Sequence, residues 1–326
     1  MSDSKRSISV ALCTFNGARY LQEQLDSIAV QTLLPAELVV NDDGSSDRTV
    51  EIVNYFAETA PFPVRLQWNS ATLGSVANFA DAIARCRGEY VALADQDDIW
   101  KPNKLEVLLS CIGEASLVFS DAFLTRDANL ESGTLFSTLG FNRSARKQFK
   151  ANPFAYLLRH TVVSGATILL HRAIIPAVLP VPPISRALWD HDGWIALVAA
   201  AIAEVRICPE ALMEYRQHPS QQIGLRPRDP LLSRNRWKNA ADFRRQGLQG
   251  ALSDHRFLLQ RLMAVQKLDA SVQRQVEQKI AFLEQRLSLS EHRMTRISTA
   301  VKLLLRGDYH RFASGCSGAV GDVLLS

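Results

Sequence analysis

The chain has 326 residues, 47% of them hydrophobic and 21% charged, with a formal net charge of +4. That is enough apolar material for one large domain or two smaller ones, and too little positive charge to call for a nucleic-acid partner. No apolar run approaches the ~18 residues of a membrane span; the longest, Trp194 to Ala203, reads as a buried helix.

The first third alternates short apolar runs with helical patterns. The start, MSDSKRSISVAL, passes from a polar segment into a run too short for a signal-peptide core, and Ile8 to Leu12 is expected as a strand. Leu21, Leu25 and Ile28 recur at helical spacing within Ala18 to Gln31. Leu38 to Val40 is a second strand, followed by a turn cluster and a helix over Arg48 to Glu58 that Asp47 can cap. Val64 to Trp68 is a third strand. A helix over Ser75 to Cys86 ends at Gly88. Tyr90 to Ala94, a helix over Pro102 to Ile112, and Leu117 to Ser120 complete the pattern. Such alternation predicts an α/β fold with a mostly parallel central sheet and helices on both faces. In such sheets ligands bind beyond the carboxyl ends of the strands.

Residues 121–229 are less regular, with prolines at 176, 180, 182 and 183 and a helix expected over Asp192 to Ala203. From about Leu231 onward the pattern becomes long, mixed and helical. That tail carries about sixteen lysines and arginines against about eight aspartates and glutamates. The expected division is therefore an α/β domain over 1–229, with a first half to about 120 and a second half over 121–229, followed by a basic helical region over 230–326. The basic helices are suited either to an anionic membrane surface or to packing on the core with a solvated face. Cys13, Cys86, Cys111, Cys208 and Cys316 fall in no CxxC or Cys/His spacing. This argues against a zinc site and fits reduced thiols in a cytoplasmic protein, free or peripheral at the inner face of the membrane.

Chemistry concentrates in four places. In VVNDDGSSD, Asp42 and Asp43 follow a strand and Gly44 permits a tight turn. A carboxylate here can accept from a base N–H or ribose hydroxyls; an Asx-type turn leading into the helix explains the same residues. In LADQDDIWKPNKL, Asp95, Asp97 and Asp98 crowd the end of an apolar strand. Carboxylates so close repel one another unless a cation intervenes, and oxygen ligands suit Mg²⁺ or Mn²⁺; a solvated acidic turn before a helix is the plainer alternative. In ALWDHDGWIAL, Asp192 is a candidate general base, or else Asp190 or Asp192 caps the helix. In EYRQHPS, His218 is either a metal ligand or a loop histidine.

Taken together and in order, VALCTFNGARYLQEQLDSIAVQT, VVNDDGSSDRT, GEYVALADQDDIWKPNKL, HDGW and YRQH resemble glycosyltransferase family two over about residues 7–225. The last two segments are similar to those of its bacterial rhamnosyltransferase-like branch. The resemblance implies the GT-A nucleotide-diphospho-sugar transferase fold and an inverting transfer from a nucleotide-sugar donor, dTDP-rhamnose among the candidates. The acceptor it implies is a glycan or lipid-linked hydroxyl in surface-polysaccharide or O-antigen assembly. It further implies that Thr14 lies near the nucleotide, Asp43 reads the base, and Asp95 faces ribose and metal. Asp97 and His218 are then metal ligands and Asp192 the catalytic base. Two positions depart from the family's pattern: Cys13 stands where many members have proline, and His191 replaces the glutamate of a Glu-Asp pair. A sugar nucleotidyltransferase would need a glycine- and arginine-rich first loop, and CTFNGARY has one glycine. A non-catalytic binding module of the same fold is the other alternative, and Asp95, Asp97 and Asp192 are all present.

Overall fold

The computed structural model describes residues 6–126, 129–182, 190–219, 221, 240–265, 268–289 and 292–324. In chain order the first elements are β1 (Ile8–Thr14), α1 (Leu21–Ala29), β2 (Glu37–Asp42), α2 (Thr49–Thr59), β3 (Val64–Trp68) and α3 (Ser75–Arg85). They are followed by β4 (Tyr90–Asp95), β5 (Ile99–Trp100), α4 (Lys104–Ile112), β6 (Leu117–Arg126) and β7 (Asn129–Thr134). Short helices α5 (Leu135–Thr138), α6 (Arg143–Ala151) and α7 (Pro153–Leu157) lead to β8 (Ile168–His171) and α8 (Ile175–Val178). Helix α9 (His191–Ile202) and strand β9 (Val205–Gln217) follow, then α10 (Ala240–Met263), α11 (Ala270–Leu287), α12 (Arg293–Leu305), α13 (Asp308–Phe312) and α14 (Cys316–Leu324).

The chain forms two compact units, one holding every strand and the other gathering α10 to α14 with Phe154–Thr161. The boundary expected near residue 229 lies outside the described residues.

In the first unit a nine-stranded sheet runs β3-β2-β1-β4-β8-β6-β9-β5, with β7 beside β6. β3, β2, β1 and β4 are parallel, as their apolar runs predict. Beyond β4 the sheet is mixed: β8 is antiparallel to both β4 and β6, and β9 returns parallel to β6. The all-parallel character belongs to the first half alone. β1 is buried along its whole length and so must be apolar on both faces. Leu21, Leu25 and Ile28 of α1 are fully buried in the same core as Val10, Leu38 and Ala92.

The register fixes where polar side chains emerge. Cys13 pairs with Asp95 and Thr14 with Asp42, so three strands end on one line and their acidic residues reach the crevice together. Gly88 makes that alignment possible, since a Cβ there would come within 2.6 Å of the Ser9 amide nitrogen. Helix α9 is apolar almost all round, with Trp194 to Ala199 buried, and it presents His191 and Asp192 in its first turn.

The second unit is built of helices around a buried carboxylate. Asp322 takes Arg286 Nε at 2.7 Å, Arg244 Nε at 2.8 Å and the Tyr309 hydroxyl at 2.5 Å, and these partners hold its acidity high against burial. Buried Lys279 donates to the Phe312 carbonyl. Among the described residues no helix is long and apolar enough to cross a membrane. All five cysteines are free. Two that look scattered in the sequence meet: the Cys111 and Cys208 sulfurs, on α4 and β9, are 3.1 Å apart.

Candidate active site

At the carboxyl ends of β1, β2 and β4 lies a cavity of about 380 Å³. Its lining includes Thr14, Asp43, Asp95, Asp97, Asp192 and His218, the six residues singled out from the sequence. A broader depression, beside Ser7 and Glu89, sits at the opposite ends of β1 and β4.

Two chemically similar neighbours divide their labour at the end of β2. Asp42 is the turn residue: it accepts from Ser45 N at 2.8 Å, from Ser45 Oγ at 2.6 Å and from Thr14 Oγ1 at 2.7 Å. The Asx-type turn thus applies to Asp42, and the Thr14 hydroxyl is committed to it. Asp43 faces the cavity while holding the turn before α3, accepting from Leu73 N at 2.7 Å and Gly74 N at 2.9 Å. Gly44 and Gly74 both take positive φ, 84° and 86°, as these turns require. Asp47 accepts from Thr49 N at 3.0 Å and Ala18 N at 3.1 Å; it precedes the N-cap residue Arg48, and so holds the first amide of α2 and the loop after β1 at once.

The acidic loop after β4 divides in direction. Asp95 and Asp97 face the cavity. Asp98 turns inward, 1% exposed, with one oxygen accepting from Arg216 N at 3.3 Å and the other without a hydrogen-bond partner. The expected three-carboxylate cluster is therefore two at the cavity and one beneath it. Burial, with Asp97 and Asp192 adding repulsion, pushes the Asp95 carboxyl up to about 7. Burial, with Asp97 and Asp95 adding repulsion, raises Asp98. Lys104 lies fully buried under the loop, donating to the Ala166 carbonyl at 2.6 Å, and its ammonium is 3.9 Å from the centre of the Trp100 ring. Burial brings its pKa down to about 7, opposed by the attraction of Asp98 and Asp95.

His218 reaches the cavity from the end of β9. Its Nε2 is 2.8 Å from Asp97 Oδ2, and its ring packs on Tyr20 with centroids 4.5 Å apart. Arg216 covers the same Tyr20 ring and pairs with Glu23 of α1 at 2.7 Å. Among the described residues no three His, Cys, Asp or Glu side chains stand ready-arranged around a metal position; the pair Asp97–His218 is what the fold brings into contact. Asp192, in the first turn of α9, accepts from Gly165 N at 3.0 Å and Gly193 N at 2.6 Å. Asp190 occupies the N-cap position and makes no side-chain capping bond. Neither residue caps α9 in the way the helix pattern suggested.

Gln96 was not legible as a functional residue. Its side chain bonds both ways to the backbone of Phe15, accepting from N at 2.8 Å and donating to O at 3.1 Å, which latches the β1 loop to the β4 loop. Gly17 leaves room for it: a Cβ at 17 would lie 2.1 Å from Gln96 Oε1. Tyr215 also lines the cavity, and burial together with the surrounding carboxylates raises its hydroxyl pKa.

The profile of glycosyl transferase family 2 matches residues 9–178, just over half of the chain. The chain belongs to this family. An uncharacterized glycosyltransferase of Nostoc sp. is 29% identical over 214 residues, 65% of each chain. An uncharacterized protein of Mycobacterium tuberculosis is 26% identical over 65% of this chain and 59% of its own length. The chain thus matches less than two thirds of the length of these relatives. TuaG of Bacillus subtilis, whose name places it provisionally in teichuronic acid biosynthesis, is 25% identical over 74% of this chain and 86% of its own. Among solved structures, S. aureus TarS 1–349 in complex with UDP-GlcNAc superposes with a TM-score of 0.58 at 14% identity, covering 98% of this chain and 88% of that one. The mannosyltransferase PcManGT from Pyrobaculum calidifontis, in complex with GDP-Man and Mn²⁺, gives 0.52 at 16% identity over 96% and 77%. These likenesses establish the GT-A fold for this member of the family.

The latch makes a direct prediction. Gly17→Ala and Gln96→Ala each remove the Gln96–Phe15 bonds and should each cost about 1–2 kcal/mol of stability. The double variant should lose scarcely more than the worse single one, because both act on one contact. Urea unfolding of the four proteins measures this, and simple additivity would separate Gly17 from the latch.

Proposed function

We propose that this protein is an inverting, metal-dependent glycosyltransferase that moves a sugar from a nucleotide-diphosphate donor to a hydroxyl of a glycan or lipid-linked acceptor, in surface-polysaccharide assembly. The observation that carries the proposal is the convergence of Asp43, Asp95, Asp97, Asp192 and His218 on one cavity at the strand ends. TuaG's name supports the polysaccharide setting, and the UDP-GlcNAc and GDP-Man of the TarS and PcManGT structures support the donor class. The HDGW and YRQH segments make dTDP-rhamnose the first donor to test.

The donor set fits a hard divalent cation. Burial raises Asp95, and repulsion from Asp97 and Asp192 adds to it; Mg²⁺ or Mn²⁺ is the class of ion that relieves such crowding. Asp95, Asp97 and His218 would hold it together with diphosphate oxygens. Such an ion would supply positive charge against the negative charge that grows on the departing diphosphate. Asp43 stands at the β2 side of the cavity, where it can accept from the base, and Thr14 shapes the wall beside it. Asp192 is oriented by the Gly165 and Gly193 amides, and a carboxylate that accepts two bonds keeps lone pairs for a third. It accepts the proton of the acceptor hydroxyl as that oxygen attacks the anomeric carbon from the face opposite the leaving diphosphate. One base and no covalent intermediate give inversion.

The helical unit is proposed to rest peripherally on the anionic inner face of the cytoplasmic membrane. Helix α12 buries Ala300 and Leu303, yet Met294, Val301 and Leu305 are exposed at 77%, 46% and 82%. Their spacing puts them on one helical face, and Lys302 and Arg306 lie exposed beside them. An apolar stripe with basic flanks is the pattern of an interfacial helix.

Three outcomes follow. Asp97→Ala should abolish Mn²⁺-dependent binding of nucleoside diphosphate while the protein stays folded, as read by calorimetry and circular dichroism; undiminished binding would remove Asp97 from the ligand set. Asp192→Asn should lower kcat by ~10²–10⁴-fold with donor affinity unchanged, and near-normal turnover would refute the base. In flotation, vesicles containing anionic lipid should carry the protein and neutral vesicles should not, with salt weakening the difference; a Val301→Ser/Leu305→Ser variant should float less, and equal recovery with both vesicle types would sink the membrane assignment.

A further inference from the structure

Three buried polar atoms on the cavity wall have no hydrogen-bond partner: Nδ1 and Nε2 of His191 and Oγ of Ser75. Both residues line the cavity. Native proteins rarely leave such atoms unsatisfied, and an exception calls for an explanation. His191 is 7% exposed, its ring stacked on Phe79 at 4.2 Å and 13° between planes. Ser75 precedes Phe79 by four residues on α3, which sets it one helical turn away on the same face. The imidazole and the hydroxyl therefore stand on one wall, a turn of helix apart.

The chemistry of these atoms selects the ligand. Burial lowers the basicity of the imidazole, and a neutral imidazole offers one donor and one acceptor. The serine hydroxyl offers the same. Neither the imidazole in that form nor the hydroxyl carries a positive charge, so an anionic group is not what this pair selects. A polyhydroxyl group, whose every OH both donates and accepts, matches. Position places that group near the reaction: His191 is adjacent in sequence to Asp192, and both meet Gly165. Asp192 accepts the Gly165 N–H at 3.0 Å, and a Cβ on Gly165 would lie 2.9 Å from His191 Nε2.

We propose that His191 and Ser75 form the subsite that reads the hydroxyls of the sugar being transferred, and so determine donor-sugar specificity. This rests on the reading of the cavity as a nucleotide-sugar site.

The test compares two affinities measured by calorimetry with Mn²⁺ and no acceptor. One is for the nucleoside diphosphate, the other for its nucleotide-sugar. The probes are UDP with UDP-glucose and UDP-N-acetylglucosamine, GDP with GDP-mannose, and dTDP with dTDP-rhamnose. His191→Phe keeps the stack on Phe79 and removes both nitrogens; Ser75→Ala removes the hydroxyl. Each should bind the diphosphate as the unmodified protein does and bind the preferred nucleotide-sugar at least about tenfold more weakly, because a site built to bond hydroxyls discriminates through them. An unchanged ratio of the two affinities in both variants would overturn the proposal and leave these residues as packing. Equal weakening of diphosphate and nucleotide-sugar would also overturn it, by assigning the atoms to the ribose, which both probes carry. Should His191→Phe fail to fold by circular dichroism, Ser75→Ala decides the outcome alone. If the unmodified protein binds none of the probes, the nucleotide-sugar reading itself falls, which is distinct from the failure of the subsite.

Discussion

Everything at the cavity depends on how buried negative charge is tolerated at the end of β4. Ionised carboxylates removed from water are costly, and neighbours of the same sign make them more so. The fold answers with Lys104, placed under the acidic loop at the start of α4 and screened from solvent. Its ammonium is held by the Ala166 carbonyl and the Trp100 ring. Ala166 follows Gly165, whose amide orients Asp192. One cation thus joins the acidic loop to the segment that positions the proposed base. The attraction runs both ways: the acids hold Lys104 toward its charged form against burial, and Lys104 does the same for Asp95 and Asp98.

Around that centre the remaining contacts act as braces between elements distant in sequence. Gln96 ties the β4 loop to the β1 loop. Asp47 ties the α2 start to the same β1 loop. Tyr20, Arg216 and Glu23 tie the end of β9 to α1, which delivers His218 to Asp97. A cavity wall fixed in this way enters binding with little ordering left to do.

Much of the first unit was legible because its physics is local. β1, β2 and β4 are largely apolar and buried, β3 is a half-buried edge strand, and α1 to α4 show helical recurrence; the expected and observed spans differ by a few residues at their ends. The second half was not. β8 is four residues long, and β9 interrupts its pairing with β6 by register shifts near Pro209, so neither shows a clean period of two. At the site, residue type and position after a strand singled out Asp43, Asp95 and Asp97; Asp192 stood out as an acid before an apolar helix and His218 by type alone, and the family resemblance added Thr14. Direction was not readable. Asp98 looks like Asp97 in the sequence but points the other way, and Lys104 looks like any lysine at a helix start. Gln96 and Ser75 carry no distinctive type or spacing, and their importance appears only when β1 is laid against β4 and α3 against α9.

The pairing of Cys13 with Asp95 and of Thr14 with Asp42 has a consequence for how such a chain can vary over descent. Successive residues of a strand face opposite sides, so a single-residue insertion or deletion inside β4 would exchange Asp95 for a neighbour on the wrong face. The same event in the connections at the amino ends of these strands leaves the crevice untouched. Length changes should therefore accumulate on the amino-terminal rim of the sheet and be purged from the last turn of each strand, so that the tempo of sequence drift differs between the two rims of one sheet.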